Sequence, residues 1–137
     1  MNKIYNPPFK YIDFIGAKKI KQSYQKKENL KKIKIAILQG STVDELKNIL
    51  ELFLLNEGFQ PVFYISNYNR FYEEALFPQK ELLEFSPDLI YIHINNKNIS
   101  RFPEVSDAED LIIEKAEEEA YKYQSMWESI NDKFSCN

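Results

Sequence analysis

Ile33-Lys34-Ile35-Ala36-Ile37-Leu38 is a short apolar run that stops at Gln39-Gly40-Ser41-Thr42 and passes at once into an amphipathic stretch. A buried parallel strand that enters a helix through a tight turn has this pattern, which leaves few architectures open. Leu46, Ile49, Leu50, Phe53 and Leu54 recur at the spacing of a core-facing helix stripe. Thr42 with Glu45 three residues later predicts a capping box at the helix start. Gly58 predicts the position just past the helix end.

The same alternation continues. A second strand is expected over about Pro61–Ile65, a loop at Asn67-Tyr68-Asn69, and short helices over Phe71–Leu76 and Lys80–Phe85, parted at Pro78. A turn at Ser86-Pro87-Asp88 leads to a third strand, Leu89–Ile94, apolar on both faces apart from His93. A polar loop, Asn95–Pro103, precedes a second capping box, Ser106 with Glu109. The last helix runs to about Phe134 with Ile113, Ala116, Ala120, Tyr123, Trp127, Ile130 and Phe134 on one stripe, its carboxylates facing solvent. The strands begin about 28 residues apart, which suits two right-handed βαβ units. The expected fold is α/β: a three-layer sandwich on a small, mainly parallel sheet of order 2-1-3, flavodoxin-like. Residues 1–31 read as an N-terminal arm, extended at Pro7-Pro8, with a lysine-rich linker; residues 32–137 read as the α/β domain. The alternation calls for a fourth strand after the last helix, so the domain is expected to be the front part of a longer protein.

Composition narrows the function. The net charge of −3 argues against nucleic acid as a partner, because phosphate contacts need a basic surface. Lysines crowd residues 18–34, where Glu28 is the sole acid, and acids crowd residues 104–119, where Lys115 is the sole base. Such runs are ordinarily solvated faces. Cys136 is the only cysteine, which precludes an intrachain disulfide and fits a reducing compartment. No apolar stretch approaches membrane-spanning length and no secretion signal is present, so the expected location is cytoplasmic.

With strand one central, the crevice of an open α/β sheet falls between the carboxyl ends of strands one and three. That would bring Gly40, Ser41 and Thr42 beside Asn95, Asn96 and Asn98, with His93 near the same crevice. Backbone amides there can stabilise an oxyanion, and a hydroxyl can attack or hold an anion. Each residue also has a plain structural use: Ser41 and Thr42 as caps, Gly40 for backbone freedom, His93 packed in its strand, the asparagines in a turn. Nothing marks an acid to orient His93, so a Ser–His–acid triad is incomplete. A metal site is not expected from one His and one Cys, and neither a GxxxxGK nor a GxGxxG turn occurs.

The run from Lys32 through Gly40-Ser41-Thr42-Val43-Asp44-Glu45-Leu46, then Leu52-Phe53-Leu54-Leu55 and Phe63-Tyr64-Ile65-Ser66-Asn67-Tyr68-Asn69, resembles the amino-terminal region of FkbH-like proteins. These form the IIIC group of the haloacid dehalogenase (HAD) superfamily. The likeness continues through Tyr72-Glu73-Glu74-Ala75-Leu76-Phe77, Pro87-Asp88-Leu89-Ile90-Tyr91-Ile92-His93 and Asn96-Lys97-Asn98-Ile99. It implies an SGNH-hydrolase-like α/β domain, followed in the family by a HAD phosphatase-like domain. It also implies a role in loading a phosphoglycerate-derived glyceryl unit onto an acyl carrier protein. The Asp-x-Asp motif of HAD chemistry is absent here, so the Mg2+ of that chemistry is expected only in the HAD domain, and no cofactor is expected in this chain. Where an SGNH enzyme opens with Gly-Asp-Ser, this chain has Gly40-Ser41-Thr42, and Asn95 or Asn96 would stand for the oxyanion asparagine.

Three readings follow. The first is a ligand or docking domain of an FkbH-like protein that partners its own downstream HAD domain and an acyl carrier protein. The second is a working esterase or acyltransferase using Ser41 or Thr42. The third is a non-catalytic interaction module, whose aromatic-rich arm and final helix dock the downstream domain or a carrier protein, an acidic carrier protein meeting the Lys18–Lys34 region.

Overall fold

A computed structural model describes residues 21–24 and 29–134. Of the expected arm and linker over residues 1–31, residues 1–20 and 25–28 lie outside the described residues, as does Cys136. Elements follow in the order β1 (Lys31–Gln39), α1 (Asp44–Asn56), β2 (Phe59–Ile65), α2 (Phe71–Leu76), α3 (Lys80–Phe85), β3 (Leu89–His93), a 3-10 turn (Asn96–Asn98) and α4 (Glu109–Lys133). The sheet is three-stranded in the order β2-β1-β3, and β1 pairs in parallel with β3, Ile35 opposite Leu89 through Gln39 opposite His93. The architecture is therefore the expected α/β one. The chain falls into two compact units, residues 1–33 with 43–62, and 34–42 with 63–137.

In the first unit β1 starts two residues before the apolar run, because Lys31 N–H donates to Gly58 O (2.9 Å) while its side chain stays in solvent. Helix α1 departs from expectation at its start. Its N-cap is Val43, with no side-chain cap bond, so Thr42 and Glu45 do not form a capping box. Its buried positions are Leu52, Leu55 and Asn56, while Ile49 is exposed. The second half of α1 is apolar almost all round, so spacing alone does not choose the buried face. Gly58 has φ 87° just past the helix end, the left-handed geometry that glycine adopts without strain. Lys21 pairs with Glu51 at 2.5 Å.

In the second unit one face of the sheet, Ala36 and Leu38 with Ile90, Ile92 and Ile94 beside them, packs against Phe71 and Ala75 of α2, Leu82 of α3, and Met126, Ile130 and Phe134. A fully buried side chain of this size contributes about 1.5–3 kcal/mol. The short helices α2 and α3 have the expected limits. Ser86 takes a left-handed conformation (φ 48°) at the end of α3 and turns the chain into β3. There Lys34 N–H donates to Asp88 Oδ2 (2.8 Å) and Asp88 N–H to Lys34 O (2.9 Å), which pins the register.

Two corrections concern β3 and α4. The third strand ends at His93, and it is not buried on both faces: Tyr91 is 38% exposed. Helix α4 is capped by Ala108 without a side-chain bond, so Ser106 and Glu109 form no capping box. Asp107 orders that approach instead, accepting Glu104 N–H (2.7 Å) and the Lys115 ammonium (2.5 Å). The stripe expected on α4 is turned away in part, with Ile113 and Trp127 half or more exposed. The side facing the protein carries Lys115, Glu119, Lys122, Met126 and Ile130. Ion pairs to Asp107 and within the helix let charged side chains occupy positions that a hydrophobic count assigns to solvent, so Glu119 is not on the solvent side.

Candidate functional site at the carboxyl ends of the strands

The loops that leave β1, β2 and β3 meet at one side chain, Asn98. Its Nδ2 donates to Gly40 O (2.9 Å), beyond β1, and to Asn69 Oδ1 (3.0 Å), beyond β2. Its Oδ1 accepts Asn95 N–H (2.8 Å), beyond β3. Both amide hydrogens are thus committed, and the carbonyl is engaged as well. Gly40 N–H in turn donates to His93 O (2.7 Å). A Cβ on residue 40 would stand 2.7 Å from Asn98 Nδ2, so glycine is required there for close approach.

Each loop is shaped for this meeting. Asn69 sits at φ 56°, a conformation asparagine tolerates better than most residues. Before it, Ser66 is buried; its Oγ accepts Gln39 N–H (2.8 Å), and Gln39 Nε2 donates to Ser66 O (2.7 Å). Glu74 on α2 is buried and accepts Tyr64 OH (2.7 Å) and Asn67 N–H (3.3 Å). Burial, and then the Glu74 carboxylate, push the Tyr64 phenol well above its ordinary range. Asn95 caps the 3-10 turn by accepting Lys97 N–H (2.8 Å).

Lys122 of α4 secures the third loop. Its ammonium donates to Asn98 O (3.2 Å), Ser100 Oγ (2.6 Å) and Glu119 Oε1 (3.0 Å), which accounts for its three hydrogens. It lies 5.4–5.8 Å from the ring centroids of Phe71, Tyr72 and Tyr123. Cation–π attraction in so shielded a place contributes about 1–2 kcal/mol. Nearby, burial and the Glu119 carboxylate raise the Tyr123 phenol. A cleft of about 400 Å³ opens beside this network, lined by Asn69, Tyr72, Glu73, Lys97, Asn98 and Lys122 among others. That volume suits a small ligand.

The structure therefore brings Gly40 and Asn98 into contact and sets Asn95 beside them. Asn96 is exposed within the 3-10 turn. Ser41 is half-buried and Thr42 exposed, and neither caps α1. His93 Nδ1 lies 3.3 Å from Tyr91 OH, its neighbour on the same face of β3. No bond joins His93 to a hydroxyl of the turn among the described residues. Lys122 and Asn69 went unnoticed in the sequence: one sat in an acidic helix, the other in a plain turn. Lys122 is next to Tyr123 and one turn from Glu119, a cue too common to single it out. Among the described residues no group of three or more His, Cys, Asp or Glu side chains is placed to hold a metal ion. No helix of the described residues is long and apolar enough to cross a membrane.

No family model and no curated protein matches this chain. Among solved structures it is similar to the N-terminal part of the protein BF1531 from Bacteroides fragilis, containing a phosphatase domain and complexed with Mg. The TM-score is 0.61 at 19% identity, over 82% of this chain and 30% of that one. A likeness at this identity establishes a related fold, and this chain spans about 30% of that chain's length.

Proposed function

We propose that this chain is the SGNH-like front domain, residues 32–137 after an arm over 1–31, of an FkbH-like protein, and that it binds or docks rather than hydrolyses. The observation that carries this reading is that, among the described residues, no hydrogen bond joins His93 to Ser41 or Thr42, while a general base must reach the proton it removes. An oxyanion-stabilising asparagine must have a donor free to meet developing charge; both Asn98 hydrogens are spent on Gly40 O and Asn69 Oδ1, which takes Asn98 out of that role and leaves it to Asn95 or Asn96. The resemblance of the Lys32–Ile99 segments to FkbH-like proteins, and the likeness to a structure that contains a phosphatase domain, favour a chain that works beside phosphatase-type chemistry.

In this reading glyceryl loading onto an acyl carrier protein, and any Mg2+, belong to a HAD domain elsewhere in the polypeptide. The cleft beside Asn98 is where a small ligand is held. The test is hydrolysis of short acyl p-nitrophenyl esters. Turnover no faster than buffer is expected, and robust turnover abolished by Ser41→Ala or Thr42→Ala would overturn the reading in favour of an SGNH-type esterase.

A further inference from the structure

The cleft beside Asn98 carries charges in two opposite states. Lys122 has its three ammonium hydrogens on Asn98 O, Ser100 Oγ and Glu119 Oε1, and lies over the Phe71, Tyr72 and Tyr123 rings. Lys97 and Glu73 line the same cleft and are exposed. Among the described residues neither side chain enters an ion pair or a hydrogen bond, so the two do not meet each other. An exposed lysine or glutamate is ordinarily just hydrated. Here two of opposite sign, from separate elements, stand on one concavity.

Both charges are presented from anchored backbone. Lys97 is the middle residue of the 3-10 turn; its N–H donates to Asn95 Oδ1 (2.8 Å), and Asn98 Oδ1 accepts Asn95 N–H (2.8 Å). Glu73 lies in α2 between Tyr72, whose ring faces Lys122, and Glu74, which is buried and tied to Tyr64 OH and Asn67 N–H. Asn69 gives its Oδ1 to Asn98 Nδ2 and keeps its own amide hydrogens for the cleft. The cleft therefore offers an ammonium and an amide as donors, and a carboxylate as acceptor. The Lys122 ammonium already sits over the Phe71 and Tyr72 rings, so a ligand's cation is repelled from that side and left to the Glu73 carboxylate.

We propose that this cleft binds a small zwitterion, a molecule of the amino-acid class with one amine and one carboxylate. Its ammonium lies on Glu73, and its carboxylate on Lys97 and the Asn69 amide. This rests on the reading above that the cleft holds a small ligand, and names the chemistry of that ligand. A simple anion would suit Lys97 but lie against Glu73. A simple cation would suit Glu73 but lie against Lys97 and Lys122. Either one strips water from a charge it cannot satisfy, and a neutral molecule does so to both. A zwitterion satisfies the two at once, and charge-assisted hydrogen bonds at both ends fix its orientation. The volume of about 400 Å³ holds such a molecule with water beside it.

The experiment follows the backbone amide NMR signals of this chain as glycine, β-alanine or γ-aminobutyrate is added. The three probes carry the same two charges and differ in the distance between them. At least one is expected to give a saturable shift confined to residues 69–73 and 97–100, which border the cleft. Butyrate and butylamine, with one charge each, are expected to bind about tenfold more weakly. Glu73→Gln and Lys97→Gln are each expected to weaken the best probe by about the same factor; both side chains are exposed, so the fold is retained. No saturable shift with any of the three would overturn the proposal. So would butyrate or butylamine binding as tightly as the best zwitterion, or binding that survives both substitutions. Ester turnover abolished by Ser41→Ala or Thr42→Ala would sink the non-hydrolytic reading and leave a zwitterion titration standing. Absent turnover with no titration would sink the zwitterion alone, so the two fail separately.

Discussion

The junction around Asn98 and the flank around Trp127 lie along the same helix and differ in what is left unsatisfied. At the junction the Asn98 amide spans three loops, and Lys122 spends all three ammonium hydrogens. At the flank large apolar side chains face water. A saturated polar network is a positioning device, because a donor already engaged cannot respond to charge that appears in a transition state. An apolar surface without cover is the opposite case, with burial energy still to be realised.

The largest expected effect comes from breaking the junction itself. Asn98→Ala removes three bonds and strands Gly40 O and Asn95 N–H, which is expected to cost about 3 kcal/mol in a chemical denaturation series. Gly40→Ala drives a methyl into the Asn98 amide and is expected to cost about 2 kcal/mol. The pair sharpens the point. In the Asn98→Ala background the clash partner is gone, so Gly40→Ala should cost well under half as much, and additive losses in the double-mutant cycle would dismiss the close contact. Lys122→Met keeps the hydrophobic stem over the three rings but removes the cation beside Glu119, which retains Ser100 N–H, and the donors to Asn98 O and Ser100 Oγ; about 1–2 kcal/mol is expected, with faster amide exchange in residues 98–100.

Asp107→Asn should act less strongly and depend on pH. The Lys115 ammonium, and then the Glu104 N–H, hold the Asp107 carboxyl below the usual carboxylate range. A carboxyl lowered by folding adds stability above its unfolded value of about 3.9, and that contribution is lost as pH falls through its folded value. The variant should therefore be less stable than the parent at neutral pH and indistinguishable from it in strong acid. A gap that persists in acid would point to packing instead. Smallest of all, Trp127→Ser should change the stability of this chain by no more than about 0.5 kcal/mol, as for a side chain more than half exposed whose ring neighbour is Tyr123.

The strand–turn–helix at Ile33–Leu46, the paired short helices and the sheet order were legible because period, breaker residues and segment length agree there. The left-handed Gly58 was legible for the same reason. Both capping boxes failed, since the motif names residue types at a spacing and the backbone chose to enter α1 at Val43 and α4 at Ala108. Of the candidate site, Gly40 and the asparagine cluster were foreseen as neighbours, and Gly40 and Asn98 do touch. The committed state of the Asn98 amide was not legible, because its partners come from residues 40, 69 and 95, far apart along the chain.

Local chemistry was enough to say that a parallel α/β sheet forms and which loops gather at its carboxyl edge, because hydrophobic period and turn preference act over a few residues. Which side of α4 is buried, and whether an asparagine is free to donate, depend on ion pairs and hydrogen bonds closed across long stretches of chain. Those appear only when the loops are held together in space: Lys122 then faces the protein, partly buried, and Trp127 faces solvent.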